Sequence, residues 1–86
     1  MLKNIENANK VYVEAIVRYD PEGGIHPLAI TWEDGSRWAI DKVIDIRPQA
    51  SRKAGGAGIC YTIKIGRHQR QVYLEEGRWF IERKMS

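Results

Sequence analysis

Leu28-Ala29-Ile30-Thr31-Trp32-Glu33-Asp34-Gly35-Ser36-Arg37-Trp38-Ala39-Ile40 is the stretch whose reading decides the fold. Leu28, Ile30 and Trp32 fall on one side of a period-two pattern, and Trp38 and Ile40 share one phase after the turn. Asp34-Gly35 between strand-like runs is a strong hairpin signal, because both residues tolerate the left-handed conformation that matches strand twist. The stretch therefore predicts an antiparallel pair.

Upstream, Val11, Val13, Ala15, Val17 and Tyr19 alternate with Tyr12, Glu14, Ile16 and Arg18, a half-buried strand that Asp20-Pro21-Glu22-Gly23-Gly24 turns back. Downstream, Arg37 to Arg47 reads as one returning strand. Its phase slips at Asp41-Lys42, which predicts a bulge or sharp bend over Asp41 to Val43. Pro48 ends it. Ile59, Tyr61, Ile63 and Ile65 mark the next strand, and Gly66-Arg67-His68-Gln69 and Glu75-Glu76-Gly77-Arg78 turn the chain into Arg70 to Leu74 and Trp79 to Arg83.

Six short strands and no amphipathic helical segment of ten residues or more predict an all-β fold. The expected form is a small antiparallel meander closing into an SH3-like or related barrel of five to six strands, with a strongly bent sheet as the alternative. The 86 residues suffice for one core, so residues 10–86 are expected to form a single β-barrel domain. Residues 1–9 form an N-terminal segment, frayed or in a short helical turn. A core this small gains from bracing, which favours a dimer or a bound partner.

Cys60 is the lone cysteine, which excludes an intramolecular disulfide and a multi-cysteine zinc site and fits a reducing cytoplasm. The N-terminus lacks a continuous apolar run and no stretch is apolar enough to span a bilayer, so neither export nor a membrane partner is expected. His26 and His68 stand far apart without a third ligand at a metal-binding spacing. No metal, cofactor or catalytic residue is expected, because no nucleophile, base and orienting group can be assembled. The chain is read as a non-enzyme.

Charge is unevenly placed. The net value is +3, yet no Asp or Glu lies between Ile46 and Leu74, where Arg47, Arg52, Lys53, Lys64, Arg67 and Arg70 do. Those six account for 6 of the 14 basic residues, so the rest of the chain nets 8 − 11 = −3. Within the acid-free stretch, Ser51-Arg52-Lys53-Ala54-Gly55-Gly56-Ala57-Gly58 reads as a flexible or bulged connection between strands, or as a cradle of backbone N–H groups for an anion. It fits no nucleotide fingerprint, since a strand and not a helix follows it.

Tyr19, Trp32, Trp38, Tyr61 and Trp79 fall in phase with aliphatic neighbours and are expected in the core, whereas Tyr12, Tyr73 and Phe80 fall out of phase. Out-of-phase aromatics beside basic residues suit base stacking. They equally suit a second small hydrophobic cluster or a dimer contact.

The segments Thr31-Trp32-Glu33-Asp34-Gly35, Ile40-Asp41-Lys42-Val43-Ile44-Asp45-Ile46-Arg47, Lys53-Ala54-Gly55-Gly56-Ala57-Gly58 and Tyr73-Leu74-Glu75-Glu76-Gly77-Arg78-Trp79-Phe80 together resemble a family of small all-β proteins of Gram-positive bacteria with no assigned activity. The resemblance covers most of residues 11–84 and transfers no functional residue. It implies a loose association with mobile elements and genes for lesion-bypass polymerases, and so a nucleic-acid setting.

The resulting expectation is a small binding module that contacts the phosphates of DNA or RNA through Arg47, Arg52, Lys53, Lys64, Arg67 and Arg70, with Tyr73 as a stacking residue. The alternative is a protein-interaction or assembly module. It would use an outward aromatic face or sheet edge for self-association, or its basic region for an acidic protein partner.

Overall fold

The computed structural model describes residues 10–48 and 58–82. Among them the chain forms seven strands and no helix: β1 (Lys10–Tyr19), β2 (Ile25–Thr31), β3 (Arg37–Ala39), β4 (Lys42–Pro48), β5 (Ile59–Ile65), β6 (His68–Glu75) and β7 (Arg78–Glu82). All pairings are antiparallel, in the order β3-β2-β1-β7-β6-β5-β4, and the sheet curls as a half-barrel. The expected segment 1–9 and the glycine loop with Arg52 and Lys53 lie outside the described residues.

Strand number is one more than the upper expectation, and the cause is local. The strand expected over 37–47 is divided at Ile40-Asp41, where Ile40 N–H donates to Leu28 O (2.8 Å) and Asp41 N–H donates to Lys64 O (2.8 Å). Neighbouring residues thus bond to β2 and to β5, near opposite ends of the strand order. β3 is left on one margin and β4 on the other, and only Ile40 and Asp41 separate them in the chain. A bulge follows between Val43 and Asp45, close to the expected slip.

β1 joins the two halves. Its first residues pair with β7 (Lys10↔Glu82 to Val13↔Trp79), and from Glu14 onward it pairs with β2, through a bulge between Ile16 and Val17. The two halves face each other across the main core of Ile30, Tyr61, Ile63, Ile65, Val72 and Trp79. Tyr61 and Trp79 meet there as expected, with ring centroids 5.1 Å apart. Trp32 is only partly buried, while Tyr19 and Trp38 are 70% and 41% exposed, against their expected core positions. Phase places all three on the apolar side, but Tyr19 ends β1 and Trp38 belongs to the marginal strand β3.

The turns follow their residues. Glu76 and Gly77 have φ of 53° and 77°, the doubly left-handed pair of a type I′ hairpin. At the β1–β2 turn, Asp20 Oδ1 accepts from Glu22 N–H (3.0 Å) and Gly24 N–H (2.7 Å), and Asp20 Oδ2 is 2.8 Å from His26 Nε2. The His26 hydrogen bond and the Gly24 N–H hold the Asp20 carboxyl below its usual range. A Cβ at Gly24 would collide with the Asp20 carboxylate. Gly24→Ala is therefore expected to dislodge this network and destabilise the protein, read as a lowered urea midpoint. The network's contribution depends on the ionised Asp20, so it is present above the unfolded carboxyl value and lost as pH falls through the depressed folded one.

Candidate functional site

Cross-strand register sorts the side chains onto two faces, because directly paired residues project the same way. On the side opposite the main core, Lys42, Lys64 and Gln69 form one row, and Asp45, Thr62 and Gln71 a second. Arg47, Cys60, Tyr73, Phe80 and Tyr12 form a third across five strands. Lys42, Lys64, Arg47, Gln69 and Gln71 are exposed.

Lys42 and Lys64 are directly opposite each other, and neither has an ion pair among the described residues. Like charges so placed repel and weaken the strand pair. Arg47 is partly neutralised, since its Nε donates to Asp45 Oδ2 at 2.7 Å. Arg67 is exposed in the β5–β6 turn beyond Lys64, where Gly66 N–H donates to Asp41 Oδ2 at 2.6 Å.

Arg70 departs from the expected single basic face. It pairs with Ile63, so it projects on the core side, away from Arg47 and Lys64. Three intervals separate Cys60, the partner of Arg47, from Ile63, and an odd interval along a strand reverses the face. Lys42 was missed by sequence reading because it precedes the acid-free stretch. Only the register across the bulge brings it beside Lys64.

Tyr73 is buried, 3% exposed, and so offers no open ring for base stacking. It belongs with Cys60 and Phe80 to a second hydrophobic cluster, the alternative the aromatic phase left open. Its ring stacks on Phe80 at 5.2 Å and 10°, and Phe80 in turn meets Tyr12 edge-on at 5.6 Å. Tyr12 is capped by the Arg78 guanidinium, 3.7 Å from the ring centre, while Lys10 Nζ lies 4.5 Å from the Phe80 ring centre and 3.0 Å from Glu75 Oε1.

Burial, then the Glu82 carboxylate, push the Tyr73 phenol up to about 12, and burial likewise raises the Cys60 thiol. The Tyr73 contribution to stability is complete below the ordinary phenol value near 10 and is lost as pH rises from there through about 12. An alkaline titration is accordingly expected to show phenolate absorbance from Tyr73 only as the protein unfolds, with Cys60 unreactive toward a disulfide reagent until the same point.

A groove of about 820 Å³ opens between the β2–β3 hairpin, the start of β6 and the end of β7, lined by residues of both faces. Trp32 and Trp38 meet there edge to face, 5.9 Å apart at 86°. Trp38 Nε1–H donates to Ser36 Oγ (3.0 Å), whose hydroxyl donates to Asp34 Oδ1 (2.7 Å), so the turn fixes the indole. Those Ser36 bonds also hold the Asp34 carboxyl below its usual range, and ionised. Arg70, Gln69 and Gln71 line the opposite wall. Sequence reading missed this groove because it assigned both tryptophans to the core.

No group of three or more His, Cys, Asp or Glu side chains among the described residues could hold a metal ion, and no described helix is long and apolar enough to cross a membrane. No family model, curated protein or solved structure matches the chain.

Proposed function

We propose that this chain is a non-enzymatic nucleic-acid binding module whose contact with phosphates is made by the face bearing Lys42, Lys64 and Arg47, with Arg67 at its end. The observation that carries the reading is the Lys42–Lys64 pair. Two opposed cations without an ion pair among the described residues cost stability, and a phosphate seated between them removes that cost while releasing counterions from the polymer. Thr62, Gln69 and Gln71 supply uncharged hydrogen-bonding groups beside them. Arg52 and Lys53, outside the described residues, add positive charge to the same proposal, on an SH3-like scaffold working in the cytoplasm.

Fluorescence anisotropy with labelled DNA and RNA tests the reading. Affinity should fall steeply between about 50 mM and 200 mM salt, as phosphate contacts require. Absence of binding to every nucleic acid at the lower salt would refute it.

A protein-interaction reading has its own observation. Ile44 and Ile46 on the marginal strand β4 are 46% and 53% exposed, an apolar edge suited to strand addition.

A further inference from the structure

We infer that the Trp32–Trp38 groove takes an unpaired nucleobase, and that it prefers bases carrying an exocyclic amino group. The inference rests on the nucleic-acid reading above and names the form of nucleic acid that it requires.

Continuity is the first support. The β6 segment from His68 to Gln71 borders both the lysine face and the groove: Gln69 stands directly opposite Lys64 and also lines the groove, as does Arg70. A strand whose phosphates lie on Lys42 and Lys64 can cross β6, where Arg70 meets the next phosphate. Arg70 has no ion pair among the described residues to compete for it.

The second support is the fixed, 41% exposed indole of Trp38. Its chain of bonds through Ser36 to Asp34 sets the ring before any ligand arrives, so little side-chain freedom is lost on stacking. A base inside a duplex has both faces covered and its pairing edge occupied. An unpaired base has neither.

The third support is charge. Ionised Asp34 lines the groove, as does Glu82, and repels phosphate, but it accepts hydrogen bonds from an amino group such as cytosine N4. Thymine and uracil present a carbonyl oxygen there instead. Trp32, which lines the groove, also carries the described residues' one buried side-chain donor without an acceptor, its Nε1–H.

Single-stranded oligo-dC, oligo-dT and a duplex of equal length distinguish the outcomes. Oligo-dC is expected to bind about five- to tenfold more tightly than oligo-dT, and Asp34→Asn to erase that preference. Trp38→Ala should weaken both single strands about tenfold with an unchanged salt slope and leave duplex affinity as it was, while Trp38→Phe retains most of the binding. Trp38 is exposed, so these variants should fold, and urea unfolding checks this. Equal affinity for all three probes, indifferent to Trp38→Ala, would overturn the inference and leave the phosphate-binding reading standing. Failure of every probe to bind would overturn both. Movement of the Trp38 indole signal with a basic peptide and not with oligo-dC would make the groove a protein contact and also overturn it.

Discussion

Phe80→Ala is expected to cost about 3–5 kcal/mol, the usual range for emptying a buried aromatic site. At about 0.05–0.15 kcal/mol per residue, a chain of 86 residues has roughly 4–13 kcal/mol of stability in total, so this one change removes a large fraction of it. The size of the effect comes from position. Phe80 is 1% exposed and is the shared member of the Tyr73 and Tyr12 ring contacts, with the Lys10 ammonium over its ring. Its removal uncovers Cys60 and Tyr73 on the face opposite the main core. Equilibrium urea unfolding measures the loss, and the rate of Cys60 modification reports it independently. A loss under about 1 kcal/mol would mean that the second cluster is surface packing.

Lys42→Glu is expected to stabilise the protein by about 0.5 kcal/mol and to weaken nucleic-acid binding by tenfold or more. The two effects have one origin. The introduced carboxylate would stand directly opposite Lys64 and replace repulsion with attraction, but it would also occupy the place where a phosphate has to sit. On a single strand, the salt slope should flatten by roughly 0.7 for each phosphate that is no longer neutralised. Lys42→Gln, which removes charge without reversing it, should give a smaller change in the same two directions. A variant more stable and equally tight in binding would separate the lysine pair from function.

Much of the strand map is legible in the residues, and the reasons are local. Alternation in Val11 to Tyr19, the Asp20 to Gly24 turn, Asp34-Gly35 and the Glu76-Gly77 turn each act within a few residues, so period and turn chemistry suffice. What sequence cannot express is which strands become neighbours. Ile40-Asp41 reads as a slip in one strand because nothing local says that Ile40 will bond to β2 and Asp41 to β5. The same gap misplaces the site. Arg70 lies six residues from Lys64 in sequence but on the other face, whereas Lys42 lies 22 residues away and directly opposite it. Alternation likewise shows that Tyr73 and Phe80 share a face distinct from the main core, without showing that this second face is itself covered. Tyr19 and Trp38 are the converse case, apolar in phase but at margins of the sheet.

Mapping by amide and lysine side-chain NMR signals tests the central claim most directly. On addition of a single-stranded oligonucleotide at about 50 mM salt, where phosphate attraction is little screened, the largest shifts are expected at Lys42, Lys64, Thr62 and Gln69, and reversal is expected as salt is raised. The far turn from Asp20 to Gly24 should remain unmoved. No shift at saturating oligonucleotide, or shifts confined to the Asp20–Gly24 turn, would contradict the account.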